Sequence, residues 1–315
     1  MANTTAASEA APLIEVNGLQ KSYGGEDVLV SLSLTVRPGE VFGVLGPNGS
    51  GKSTLAHILV GLSRPTGGTA LVLGATPGEL RARRGLGYLA QRPAYHGWLT
   101  VRETLRLHAR LMRLPRSERE AAVDAALRTA VLTERADDRV DAVAPAIERR
   151  LGIALAFLGD PAVVILDEPT ESLDSMAHDD LHAAIRAARG RGAAVLLISH
   201  ILAEVDHICD RVAVVDHGRV VASGKLDDVL GVSETRIRVS GLQQQDLPAI
   251  ASFGPPVLEG DRLVIRPMDE SRVPALVALL VGMGTRVHDV RSGRSSMEER
   301  FTSLVARDRR VDRTL

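Results

Sequence analysis

One cysteine, Cys209, is all that the chain contains, so no disulfide can form within it, and a lone thiol points to a reducing compartment. Neither sign of charge is in excess. With 38 Lys and Arg against 39 Asp and Glu, the net charge of −1 argues against a dedicated nucleic-acid binder, whose surface would be basic. No apolar run approaches the roughly 18 residues that a membrane-spanning helix needs. The opening stretch, MANTTAASEAAP, lacks the basic and apolar regions of a signal peptide and reads as a disordered tail over residues 1–12. The remaining composition is ordinary for a globular protein, and 315 residues suffice for one large domain and a smaller one.

The most informative string present is GPNGSGKST: Gly46, Pro47, Asn48, Gly49, Ser50, Gly51, Lys52, Ser53 and Thr54. It matches the phosphate-loop pattern G-x-x-x-x-G-K-[ST] at every required position. Val41–Leu45 before it reads as a short buried strand, and Leu55–Val60 after it as a helix. In that context backbone N–H groups and the helix N-terminus can face phosphate oxygens. Lys52 is then placed to reach the β- and γ-phosphates of a nucleoside triphosphate, and the Ser53 hydroxyl to ligate Mg²⁺.

Around this motif the chain reads as α/β. Leu13–Val16 and Leu32–Val36 alternate like two strands around a turn, and Pro38-Gly39 breaks the chain before the loop strand. From about Val101 to Ala156 the pattern is helical. Thr100 can cap a helix running to Leu114, and Ser117 begins a second one. Ala162–Leu166 and Ala194–Ile198 are continuously apolar, as central parallel strands are, with a helix from Met176 to Ala188 between them. These units specify a doubly wound parallel sheet, with a helical subdomain over about 92–157. A composition shift near Gly231 marks a second unit over 231–315. It reads strand (Thr235–Val239), helix (Leu242–Ser252), strand (Pro256–Glu259), strand (Arg262–Ile265), helix (Glu270–Val281) and strand (Thr285–Val290), a βαββαβ order. Ser295-Ser296-Met297-Glu298 forms a capping box, and Met297, Phe301, Leu304 and Val305 then recur at helical spacing, as a terminal helix docked on its own chain, or alternatively on a partner, would.

A phosphate loop needs a carboxylate to organise Mg²⁺ and a group to position the attacking water. Val163–Glu168 supplies both at the end of a buried strand: Asp167 for the metal, Glu168 as general base. At this point residues 13 to 228 resemble the ATP-binding subunits of ABC transporters, with a P-loop NTPase core. The resemblance implies ATP and Mg²⁺ as ligands, and it implies roles for residues of this chain. Tyr23 in LQKSYGG matches the aromatic that stacks on adenine, and Gln91 in GYLAQRP the glutamine that senses Mg²⁺ and couples to the membrane subunit. Ser172-Leu173-Asp174 matches the loop that communicates across the dimer, and His200 in LLISH the histidine on the γ-phosphate. Ile208–Gly224 is similar to the family's closing hairpin. LTVRETL (Leu99–Leu105) and SSMEERFTSLV (Ser295–Val305) resemble exporter-type members, including drug and antibiotic efflux ATPases. A separate transmembrane permease is implied, with the ATPase at the cytoplasmic face of the membrane.

One motif departs from the family. Alignment on Arg150-Leu151-Gly152 puts Val143-Ala144-Pro145-Ala146-Ile147 where the signature LSGGQ would reach a partner's γ-phosphate. Ala144 lacks the hydroxyl, Pro145 lacks an N–H, and Ala146 adds a Cβ. The chain's own half-site is complete and its contribution to the opposite one is crippled. The expectation is therefore a heterodimer with a second ATPase subunit whose signature is intact. The rival is a homodimer with two impaired sites, serving as an ATP-binding regulatory subunit. Weaker signals are His178 and His182, four apart on a helix and read as a solvated face, and a basic tail with seven arginines against four acids over Arg291–Arg313, also read as solvated. Cys209 reads as a small core residue.

Overall fold

The alternation in the first forty residues extends further than Leu13–Val16 and Leu32–Val36. Strands β1 (Ile14–Tyr23) and β2 (Glu26–Val36) form a continuous, bulged antiparallel hairpin. The computed structural model describes residues 11–171, 173, 175–230 and 234–293. Residues 1–10 of the tail expected over 1–12 and the expected terminal helix after Ser295 lie outside the described residues, as do Ser172 and Asp174.

The unbroken apolar runs form the centre of the larger unit. β3 (Val41–Leu45) leads through the glycine-rich loop into helix α1 (Lys52–Leu59). β4 (Gly67–Val72) pairs with the free side of β1, completing a three-stranded sheet in the order β2-β1-β4. Helix α2 (Leu80–Arg84) precedes β5 (Leu86–Leu89). Three helices follow: α3 (Val101–Leu111), α4 (Arg119–Thr129) and α5 (Pro145–Ala156). Then come β6 (Val163–Asp167), α6 (Ser175–Gly190), β7 (Ala194–Ser199), α7 (Leu202–Ile208), β8 (Arg211–Asp216) and β9 (Arg219–Lys225). The six-stranded sheet has the order β5-β6-β7-β3-β8-β9 and is parallel from β5 to β8. Every residue of β3, β6 and β7 is buried, as strands covered on both faces must be. Cys209 is buried, as read.

The helix expected to run to Leu114 stops at Leu111. Arg113 takes a left-handed φ of 60°, and the Leu114 N–H turns back to the Ala109 carbonyl. The second helix starts at Arg119, two turn residues after Ser117, and its N-cap Glu118 makes no side-chain cap.

The chain divides into Met1–Ser223 and Gly224–Leu315, a boundary a few residues upstream of Gly231. The smaller unit holds α8 (Leu226–Leu230), β10 (Glu234–Ser240), α9 (Leu247–Ile250), β11 (Pro256–Glu259), β12 (Arg262–Ile265), α10 (Val273–Gly282) and β13 (Arg286–Gly293). Its sheet is antiparallel, in the order β11-β12-β10-β13, over a core that includes Ile237, Ile250, Leu263, Leu276 and Leu280. The single helix expected over Leu242–Ser252 is instead two 3₁₀ turns flanking the one-turn α9. Pro248 has no N–H to donate across the first turn, so a continuous ladder cannot form.

The Thr100 cap is complete. Its hydroxyl accepts from the Glu103 N–H at 3.1 Å, and the Glu103 carboxylate accepts from the Thr100 N–H at 2.9 Å. Thr100→Ala should therefore cost about 1 kcal/mol. Urea unfolding followed through Trp98, the only tryptophan, checks this by a lowered midpoint.

Candidate functional site

Four strands of the central sheet end at one edge, and each delivers a residue singled out in the sequence. β3 runs into the Gly46–Thr54 loop, β5 into Ala90-Gln91, β6 into Asp167-Glu168 and β7 into His200. Asn48, Gly49, Gly51, Lys52, Ser53, Thr54, Gln91 and Glu168 line one cleft of about 290 Å³, together with Val28 of β2. Val28 carried no signal in the sequence; it reaches the cleft because β2 runs past the loop.

The loop is built for close approach. Gly51 holds a φ of 97°, and a Cβ there would lie 2.7 Å from the Val28 carbonyl oxygen. A Cβ on Gly46 would lie 2.2 Å from the Val215 carbonyl oxygen. Gly51 is also the N-cap of α1, and no side chain caps that helix. Its leading N–H groups are thus available to an anion.

Lys52 is buried and folded back over its own loop, donating to the Gly46 and Pro47 carbonyls at 2.8 and 2.9 Å. Burial lowers its pKa, while the charges of Glu168 and Asp167 act the other way. Ser53 Oγ donates to Asp167 Oδ1 at 3.3 Å. Asp167 Oδ2 is buried with no hydrogen-bond partner among the described residues, and burial raises the pKa of this carboxyl. An unpartnered carboxylate oxygen beside a hydroxyl, with Gln91 on the same cleft, is a donor set suited to a hard, oxygen-ligated divalent cation. Glu168 takes a left-handed φ of 49°, and His200 Nδ1 lies 2.7 Å from its Oε2.

Two groups here were not read from the sequence. Glu204 on α7 is buried and accepts from Ser199 Oγ at 2.6 Å; that oxygen in turn accepts from the Ile201 N–H at 3.0 Å, bracing the turn that carries His200. Burial pushes the Glu204 carboxyl up to about 7, the Ser199 hydroxyl opposes the shift, and the Glu168 charge adds to it. Arg149, on the buried face of α5, donates to backbone carbonyls of both Ala90-Gln91 and Asp167–Pro169. Its signal was a charged residue four positions before Ile153, at an inward helical position.

Other singled-out residues lie elsewhere. Tyr23, at the end of β1, is half exposed and is not among the residues lining the cleft. Its Oη is 3.3 Å from Ser63 Oγ, and the Lys21 ammonium sits 4.5 Å from its ring centroid. Val143–Ile147 forms the entry to α5: Ala144 is the N-cap without a side-chain bond and Pro145 the first helical residue. His182 departs from the solvated-face reading. It is half-buried, its ring stacks on His207 at 6.3 Å, and burial lowers its pKa. Among the described residues no group of three or more His, Cys, Asp or Glu is arranged to hold a metal.

The chain is similar to known proteins in both sequence and fold. The sequence model of the ABC transporter family matches residues 29–171. The chain is 40% identical over 214 residues to "Nod factor export ATP-binding protein I" of Rhizobium johnstonii, covering 67% of this chain and 69% of that one. The protein of the same name from Ralstonia nicotianae is 35% identical over 250 residues, covering 79% and 78%. Among solved structures, an ATP-binding subunit of an ABC transporter superposes with a TM-score of 0.66 at 33% identity, over 69% of this chain and 91% of the other. A dimeric ATP-binding cassette bound to ADP and Pi superposes at 0.63 with 23% identity, over 68% and 98%, a likeness of fold.

Glu204 gives a pH test. Its folded pKa of about 7 lies above the ordinary 4.5, so its favourable contribution is complete below pH 4.5 and is lost as pH rises towards 7. Glu204→Gln cannot ionise. Between pH 5 and 8 the nucleotide-free wild type should lose up to about 3 kcal/mol of stability relative to that variant, measured as the difference between two urea-unfolding series.

Proposed function

The chain belongs to the ABC transporter family as an ATP-binding subunit, and from that premise we propose that it hydrolyses ATP to drive export through a separate transmembrane permease. The observation that carries this reading is the single cleft that collects the glycine-rich loop, Gln91 and Glu168, with His200 on the Glu168 carboxylate. The names of the Rhizobium and Ralstonia relatives favour export over import. Among the described residues no helix is long and apolar enough to cross a membrane. The place of action is the cytoplasmic face of the membrane, against the permease.

Mg²⁺ held by Ser53, Gln91 and Asp167 would offset negative charge between the β- and γ-phosphates. The chain's own groups do the rest. Lys52 gives up the Gly46 and Pro47 carbonyls and donates to β- and γ-phosphate oxygens instead. The N–H groups at the start of α1 hold the same phosphates. Glu168 accepts a proton from the attacking water, and His200 orients the Glu168 carboxylate and contacts the γ-phosphate. Tyr23 offers adenine the ring face opposite Lys21.

The dimer is proposed to be asymmetric. This chain's own half-site keeps all of these groups, whereas Ala144, Pro145 and Ala146 present neither hydroxyl nor glycine N–H groups to a partner. One donor aimed at a transition state is commonly worth 10²–10³ in rate, about 2.7–4 kcal/mol. A second ATPase subunit with an intact signature then completes the site on this chain. The same segment favours the second reading, a regulatory homodimer that binds ATP and turns it over slowly. Purification from native membranes, with the co-purifying subunits counted, separates the two.

Glu168→Gln should retain ATP and lower turnover of the assembled complex by at least about 10²-fold, the usual worth of a general base. Unchanged turnover, measured as phosphate release, would sink the hydrolytic reading. Restoring the segment by combining Ala144→Ser, Pro145→Gly and Ala146→Gly should raise turnover of the isolated chain at least about tenfold. An unchanged rate would mean that the segment does not limit hydrolysis.

A further inference from the structure

We infer that Arg149 is a positioning residue that makes the turn carrying Glu168 and the loop carrying Gln91 move as one body, so that nucleotide in the cleft sets the conformation of residues 92–98. The inference rests on the reading that this cleft binds ATP, and it adds a component outside the cleft lining. A guanidinium has five N–H donors in a fixed planar fork. All five are spent on backbone carbonyls: Nε on Pro169 at 3.0 Å, Nη1 on Ala90 and Gln91 at 2.9 and 3.0 Å, and Nη2 on Asp167 at 3.2 Å and on Glu168. Arg149 is only 5% exposed and forms no ion pair among the described residues. A buried cation serving only to fill the core would be expected to face a carboxylate. This one faces two loops whose next side chains are the nucleotide-contacting ones.

A second contact ties the same loop to α5. A Cβ on Gly152 would lie 2.7 Å from Tyr95 Oη and 2.5 Å from Leu89 Cδ1, so the side chains of Tyr95 in the loop and Leu89 of β5 pack directly on the α5 backbone. The segment ends at Trp98, exposed and stacked on His96 with ring centroids 4.6 Å apart. As the only tryptophan, Trp98 reports the conformation of this segment without labelling.

The test uses the full chain with Arg149→Gln and Arg149→Lys. Lysine keeps the charge but has three donors on one nitrogen and cannot span both loops. Mg-ATP affinity is measured by calorimetry, Trp98 emission on adding Mg-ATP by fluorescence, and kcat and KM on the permease complex. The expected result for both variants is an affinity and KM within about threefold of wild type. Trp98 response and kcat should each fall about 10–100-fold, the usual cost of losing a residue that orients catalytic groups. Wild-type response and kcat in either folded variant would overturn the inference. So would affinity and response falling together with thermal stability, the mark of a purely structural arginine. A wild-type chain that binds Mg-ATP without any change in Trp98 emission also overturns it, whereas a wild-type chain that binds no Mg-ATP overturns the nucleotide reading instead.

Discussion

The parallel register across β5, β6, β7 and β3 is the constraint on which the site depends. Leu45 lies opposite Ser199, Asp167 opposite Ile198, and Leu89 opposite Leu166, so four strand ends arrive at one level. Ser53 and Asp167, 114 positions apart, thereby come within a hydrogen bond. Alternation along a strand would send Asp167 and Glu168 to opposite faces. The left-handed φ at Glu168 breaks that alternation, so both carboxylates serve the same edge. Such a conformation costs a non-glycine residue about 1–2 kcal/mol. The Glu168 N–H bond to the Ile198 carbonyl at 2.9 Å and the Arg149 bond to the Glu168 carbonyl hold it in place.

The same edge concentrates charge where charge is expensive. Lys52, Arg149, Asp167, Glu168 and Glu204 are all at most 7% exposed. Burial shifts the pKa values of Lys52 and Arg149 down and those of Asp167 and Glu204 up. The compensations differ in kind. Arg149 is satisfied by carbonyl dipoles alone, whereas Glu204 accepts from one hydroxyl and Asp167 from another, and each of these carboxyls keeps one buried oxygen without a hydrogen-bond partner among the described residues. A fold optimised for stability alone would fill such positions with apolar side chains. Their persistence at the carboxyl ends of a parallel sheet, where ligands bind in open α/β folds, is what a site rather than a core requires.

The parts of this arrangement that were legible in sequence are those with short-range chemistry. The glycine-rich loop, the apolar run ending in Asp167-Glu168 and the Thr100 cap each carry their cause within a few residues. β4 and β5 were not seen: Gly67-Gly68 weakens one strand pattern, and β5 is only four residues long. β5 nonetheless places Gln91, because its hydrogen-bonding partner β6 fixes where it ends. Arg149 escaped notice because its partners are backbone carbonyls 18 to 59 positions away, which no residue pattern encodes; Glu204 lies only five positions from Ser199, and it is its burial on α7 that no local pattern announced. The split of the expected Leu242–Ser252 helix has its cause in Pro248, a residue the sequence displays.

The altered entry to α5 separates what the fold needs from what a partner needs. Proline is well suited to the first helical position, where its fixed φ helps and its missing N–H forms no intrahelical bond. Val143-Ala144-Pro145-Ala146-Ile147 therefore starts a sound helix, and the N–H groups of Ile147 and Glu148 turn back to the Ala144 carbonyl at 2.8 and 3.2 Å. Of the donors a helix start offers outward, Pro145 has none, leaving Ala146 as the main one remaining. Under the proposed asymmetry the loss falls on what the helix would present to a partner, while Arg149, one turn further on, ties α5 to the Glu168 turn and the Gln91 loop. A chain can in this way keep its own catalytic edge intact while contributing little to a second one. The proposed division of labour would follow from placing the two roles at successive turns of one helix.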